Sequence, residues 1–244
     1  MVELPALERV GITFGGISRS AQSTRIHPVT LPNVQRMFLH SGRGVPDLLE
    51  SLKLPSLTSL IVGGTRNLGR PFAILTVTPF SENLPNLAQL PEMEVTMGRQ
   101  QNKVSFRSPS QATLDYHIEP RSLGWGPYRH RRNFWGGLPV DSIRKLTVDM
   151  GMTDGDEGWV VSLLGDMNSL EHLEFRSCRG HTPRYLHEMV MEGDSPPEMK
   201  TLTVYFGSGC EARQVHRLED VAEGIGSGIS VTWIKDSEVP GNER

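Results

Sequence analysis

The chain has 244 residues with 25 Lys+Arg against 28 Asp+Glu, a formal net charge of -3, which excludes a general attraction to nucleic acid or anionic membrane. A hydrophobic share of 37% allows a core, but no apolar run approaches the ~18 residues of a membrane span. Cys178 and Cys210 are too few for a disulfide framework, and the opening Met1-Val2-Glu3-Leu4-Pro5 has no basic or apolar region of a secretory signal. A cytoplasmic or nuclear protein with reduced thiols is the expectation.

From the N-terminus onward one phrase recurs: Leu-Pro-x-apolar-x-x-apolar-x-apolar. Its first copy is Leu4-Pro5-Ala6-Leu7, leading to Val10 and Ile12. The second is Leu31-Pro32-Asn33-Val34, leading to Met37 and Leu39. A helix is expected over 46–54, opened by Pro46. The third copy, Leu54-Pro55-Ser56-Leu57, leads to Leu60 and Val62. Fainter traces follow at 74–77 and at Leu84-Pro85-Asn86-Leu87. Segments 94–98 and 103–106, separated by polar residues, read as an antiparallel hairpin, with a third strand over 114–118. Between 119 and 139 the chain is rich in Gly, Pro and Arg without periodicity, which predicts a long loop.

The spacing then resumes with Ile143, Leu146 and Val148, with Leu170, Leu173 and Phe175, and with Met199, Leu202 and Val204. Short helices are expected between them, over 156–165, 184–192 and 211–225, where apolar residues keep a helical period. The last is stopped by Gly224, Gly226 and Gly228. Taking the middle apolar position of each copy, successive strands lie 27 residues apart from Val10 to Met37 and 23 from Met37 to Leu60. They lie 27 apart from Leu146 to Leu173 and 29 from Leu173 to Leu202. Such periods fall in the ~20–29 residues of leucine-rich repeats.

Strand alternating with helix also fits a doubly wound sheet, but strands covered on both faces are nearly continuous in apolar residues. Here they alternate with polar ones, so one face is expected to be buried and the other open. The fold class expected is therefore α/β: a leucine-rich-repeat-like solenoid, parallel strands on one face and short helices on the other, interrupted by a central hairpin and loop. It is expected as one domain over 1–244, with N-terminal repeats over 1–80, the insertion over 81–139 and C-terminal repeats over 140–244. The open face should carry Arg36, Phe38 and His40, then Lys145, Thr147 and Asp149, then His172, Glu174 and Arg176, then Thr201, Thr203 and Tyr205. Aromatic and charged groups side by side suit recognition of a protein.

The phrases over 45–60 (VPDLLESLKLPSLTSL) and 169–175 (SLEHLEF) resemble the repeat region of F-box/leucine-rich-repeat proteins, especially those of basidiomycete fungi. The resemblance implies repeats that bind the target of a cullin-type ubiquitin ligase. In longer relatives an N-terminal F-box of about forty residues holds a Skp-type adaptor. This sequence opens within a repeat at Leu4, so the adaptor is expected as a partner only of those longer relatives.

Chemical motifs are weak by comparison. The run 63–69 (GGTRNLG) lacks the Lys-Ser/Thr ending of a phosphate loop. Gly224-Ile225-Gly226-Ser227-Gly228 leads from a helix into a strand, the reverse of the order that a dinucleotide pyrophosphate needs. The acidic stretch 149–157 lacks the oxygen ligands and the distal glutamate of a calcium loop. Cys178, His181 and His187 have no fourth zinc ligand at regular spacing. No nucleophile is paired with a base at informative spacing. A non-enzymatic protein-recognition module without cofactor or metal is the leading expectation, and a small α/β enzyme with residues dispersed at strand ends is the alternative. One further contact surface is suggested by Trp125, Tyr128, Arg129, Arg131, Arg132 and Trp135, where arginines and aromatics mix.

Overall fold

Strict alternation makes a strand when one face can be buried, and the sequence supplies this at regular intervals. The computed structural model of the protein describes residues 7–13, 29–40, 45–63, 80–97, 102–118, 140–149, 160, 163–178, 196–206 and 230–235. In chain order the strands of the first half are β1 (Arg9–Thr13), β2 (Val29–Thr30), β3 (Arg36–His40), β4 (Leu52–Lys53) and β5 (Ser59–Gly63). They continue as β6 (Glu92–Met97), β7 (Asn102–Arg107), β8 (Thr113–Ile118) and β9 (Lys145–Asp149). The last three are β10 (His172–Cys178), β11 (Thr201–Phe206) and β12 (Ser230–Lys235). Two short helices, α1 (Val45–Glu50) and α2 (Phe80–Asn83), lie between strands of the first half.

Contacts divide the chain into two units. The first comprises Met1–Pro91, Lys103–Gly124 and Arg129–Pro139; the second comprises Glu92–Asn102, Trp125–Tyr128 and Val140–Arg244. Both are α/β, built on mostly parallel sheet with few helices among the described residues.

In the first unit β1, β3, β5 and β8 pair in parallel in that order, with β7 beside β8. Val10 is the register partner of Met37, and Met37 of Leu60, so the middle positions of the three phrases stack. Each phrase is also joined to the one before it by backbone bonds ahead of the strand. Arg36 N–H donates to Glu8 C=O at 3.1 Å, Ser59 N–H to Gln35 C=O at 3.0 Å, and Thr113 N–H to Thr58 C=O at 2.8 Å. The core consists of the apolar positions of the phrase: Val34, Met37 and Leu39, then Leu57, Leu60 and Val62, then Leu114 and Tyr116. The Tyr116 ring meets Phe106 edge-on at 6.2 Å, and burial pushes its phenol well above the usual value. At the end of the ladder, where β1 has one neighbour, Val10 and Ile12 are half-buried and Leu7 is 45% exposed. Leu7 is thus a departure from the inward position its phrase predicts.

The expected helix over 46–54 stops at Glu50. Its carbonyls are claimed from outside: Asn83 Nδ2 donates to Leu49 C=O at 3.0 Å and to Glu50 C=O at 3.3 Å. Residues 51–54 then bond to neighbouring segments, Val29 N–H to Ser51 C=O, Leu31 N–H to Lys53 C=O and Leu54 N–H to Asn83 C=O. Tertiary partners outweigh a weak local propensity there. Asn86 stacks the phrases in the same way, donating to Pro55 C=O at 3.0 Å and Leu57 C=O at 3.3 Å.

In the second unit β6, β9, β10, β11 and β12 pair in parallel in that order. Leu146, Leu173 and Leu202 are register partners, as their periods predict, and Val231 follows 29 residues after Leu202. Leu146, Leu173 and Leu202 are all buried. Val160, Leu163 and Leu164, from the helix expected over 156–165, are helical and buried. The helices expected over 184–192 and 211–225 lie outside the described residues.

The middle of the chain does form strands where the sequence predicts them, at 92–97, 102–107 and 113–118. Their neighbours are less expected. β8 occupies the rung after β5, with Leu114 opposite Leu60, and β6 lies beside β9, with Met93 opposite Leu146. Leu90, Met93 and Val95 are a further copy of the spacing, all buried, and overlap the expected hairpin strand over 94–98 only at Val95.

Candidate functional site

Alternation along β9, β10 and β11 turns one set of residues into the core and leaves the other on the opposite face. On that opposite face lie Lys145 and Asp149, then His172, Glu174 and Arg176, then Thr201, Thr203 and Tyr205. His172 and Arg176 are exposed, and the others are half-buried. Thr147 corrects the expectation, because it is only 5% exposed. The reason is its position in register between Glu94 of β6 and Glu174 of β10. Arg176 bridges these two carboxylates, with Nε 2.6 Å from Glu174 Oε1 and Nη1 3.4 Å from Glu94 Oε1. Three long side chains thereby close over the short threonine.

The rest of this face is also tied internally. Lys145 Nζ is 3.8 Å from Glu174 Oε2. Just ahead of the three strands, and not on the row of 145, 172 and 201, Lys200 Nζ is 2.6 Å from Glu171 Oε2 and Arg144 Nη1 is 3.6 Å from Glu171 Oε1. The hydrogen bond from Lys200 holds the Glu171 carboxyl below its usual range, against the opposing effect of desolvation. Burial pulls the Arg176 guanidinium down, but the hydrogen bond and charge of Glu174, with the charges of Glu94 and Tyr205, leave it raised. His172 Nδ1 and Thr201 Oγ1 share a hydrogen bond of 2.8 Å on the exposed surface. Pairs so open to water each contribute ~0–1 kcal/mol to folding. Their consequence is order: long side chains with few rotamers lose less freedom when something docks on them.

The corresponding face of the first unit carries different chemistry. Arg36, Phe38 and His40 of β3 are exposed, with the Phe38 and His40 rings stacked at 6.2 Å. Register places Arg9 beside Arg36 and Arg36 beside Ser59, which neighbours Thr113. One step along, Gly11, Phe38, Ile61 and Asp115 form the next row. Arg9, Gly11, Arg36, Phe38, Ser59 and Ile61 line an open depression of about 570 Å³. Beyond it, Lys103 Nζ is 3.2 Å from Asp115 Oδ2. Half-burial pushes the His117 imidazole down; Lys103 adds to this and Asp115 opposes it.

The structure thus brings the C-terminal triplets together on one face and sets Arg36, Phe38 and His40 on a face of the other unit. Glu94, Glu171 and Lys200 were missed by sequence reasoning. The signal for Glu94 in the sequence is the spacing of Leu90, Met93 and Val95, which repeats the phrase and leaves Glu94 on the outward side. The arginine-aromatic segment with Trp125, Tyr128, Arg129, Arg131, Arg132 and Trp135 lies outside the described residues. So do residues 64–69, 150–157, 224–228, His181 and His187; Cys178 ends β10. Among the described residues no three His, Cys, Asp or Glu side chains are placed to hold a metal ion, and no helix is long and apolar enough to cross a membrane. No protein family, curated protein or solved structure matches the chain.

Proposed function

We propose that the chain is a leucine-rich-repeat-like solenoid acting as a non-enzymatic protein-recognition module, the target-binding part of an F-box-type system. The role proposed for this chain is recognition of the target. Register stacking at periods of 23 to 29 residues supports the solenoid reading. The observation that carries the functional reading is the face of β6 and β9–β11, where Glu94, Lys145, Glu174 and Arg176 are pre-ordered by mutual ion pairs beside Tyr205. A surface of both charge signs with an aromatic anchor suits a folded protein partner more than a polyanion.

The test is affinity capture from extract with the intact chain and with the Arg176→Ala/Tyr205→Ala variant, the recovered proteins being identified by mass spectrometry. Partners that are recovered by the intact chain and lost from a variant with an unchanged melt support the reading. Identical recovery by both proteins removes this face from recognition.

A further inference from the structure

In the second unit the cations Arg144, Lys145, Arg176 and Lys200 each have a carboxylate within 4.0 Å. Arg9 and Arg36 in the first unit have no such ion pair among the described residues, although they are direct register partners. Adjacent parallel strands are ~4.8 Å apart, so two guanidinium-bearing positions sit side by side, an unfavourable arrangement without a counter-charge. Ser59 and Thr113 continue that row with hydroxyl groups, 3.4 Å apart. The row above it is apolar where it lines the depression, at Gly11, Phe38 and Ile61; Asp115, at its far end and outside the lining, is paired with Lys103 at 3.2 Å.

The depression exists because small residues stand among large ones. A Cβ on Gly11 would meet nothing within 4 Å, and its register partner Phe38 is 42% exposed. The donor row and the apolar row are two residues apart along the strands, ~6.6 Å. That is also the distance between residues i and i+2 on one face of an extended peptide.

We propose that this depression binds an extended acidic peptide of the pattern carboxylate-x-apolar, in either chain direction. The carboxylate accepts hydrogen bonds from Arg9 and Arg36, and the apolar side chain fills the space over Gly11, beside Phe38. The inference rests on the protein-recognition reading and names the chemistry of a partner at the first unit's own face. Peptide is favoured over nucleic acid because the chain carries a net charge of -3 and the row holds only two cations.

A randomised heptapeptide library displayed on phage, selected on the immobilised full chain, tests it. Enrichment of Asp or Glu two positions from Leu, Ile, Met or Phe is expected. An enriched peptide labelled with fluorescein should bind about tenfold or more weakly to Arg36→Ala. Gly11→Leu, which fills the depression, should abolish binding while the circular-dichroism melt is retained. Enrichment of another pattern, or equal binding to both variants, overturns the proposal. Tighter binding of a fluorescein-labelled oligothymidylate than of the enriched peptide overturns it in favour of nucleic acid. The protein-recognition reading is judged separately, since capture through Arg176 and Tyr205 of the second unit does not depend on Arg36 or Gly11.

Discussion

Consecutive residues of β11 offer a direct measurement of one-sided burial. Leu202 is 0% exposed and stacks in register between Leu173 and Val231, whereas Thr203 faces the opposite side and is half-buried. Leu202→Ala removes about three carbon groups, worth ~0.8 kcal/mol each or ~2.4 kcal/mol in transfer alone. The residual cavity raises the loss to ~3–5 kcal/mol. Thr203→Ala gives up strand preference and little burial, about 0.5–1 kcal/mol. For a chain of this size ~1 kcal/mol moves Tm by about 2–4 °C. Thermal melts followed by far-UV circular dichroism should therefore fall by at least ~6 °C for Leu202→Ala and by no more than ~4 °C for Thr203→Ala. Urea midpoints should keep the same order. Equal losses would mean that both faces of β11 are covered, and the open-face reading would be wrong.

Asn83→Ala leaves the carbonyls of Leu49 and Glu50 without their amide donor and should cost ~1–3 kcal/mol, measured by urea unfolding; an unchanged midpoint would show that water replaces the amide freely. Because the Glu171 carboxyl is held below its ordinary 4.5, it stabilises the fold above that pH, and the contribution is lost as pH falls through its folded pKa. Lys200→Ala should flatten the pH dependence of stability in that acid window, and a parallel curve would refute the assignment. The His117 imidazole, pushed below 6.5 mainly by burial, should titrate below that value by NMR. Stability should accordingly fall as the pH drops from 6.5 through its folded pKa, and a midpoint at or above 6.5 would exclude the effect. Gln111 holds a φ of 65° in the turn between β7 and β8, so Gln111→Gly should raise stability by about 0.5–1 kcal/mol in the same unfolding assay.

For β3, β5, β9, β10 and β11, the strand and its buried side are legible in the sequence alone, whereas β2, β4 and β12 are not. The phrase around Met37 and Leu39, Leu60 and Val62, Leu146 and Val148, Leu173 and Phe175, and Leu202 and Val204 has a period of two, and all of these residues are buried. That follows from the covalent geometry of a strand, which sends neighbouring side chains to opposite faces whatever the partner strand is. The near-constant spacing of the copies also predicted the register partners Val10, Met37 and Leu60, and Leu146, Leu173 and Leu202.

Partner choice across the interruption was decided by the tertiary structure. A strand with Leu114 and Tyr116 inward fits beside β5 as well as one closer in sequence would, and Met93 and Val95 fit beside β9 for the same reason. Backbone hydrogen bonds are identical for every matching strand, so local pattern cannot rank them. Thr147 and α1 show the same limit at single residues. Thr147 reads as an exposed position until Glu94, Glu174 and Arg176 close over it from neighbouring strands. The α1 helix reads as continuing until Asn83, far away in sequence, takes the carbonyls of Leu49 and Glu50. The depression of the first unit is likewise a product of register, since only the pairing of β1, β3 and β5 sets Arg9 beside Arg36 and Gly11 beside Phe38. Alternation is a property of each segment alone, whereas burial by a neighbour, a helix stop and a charge pair are properties of the contacts between segments.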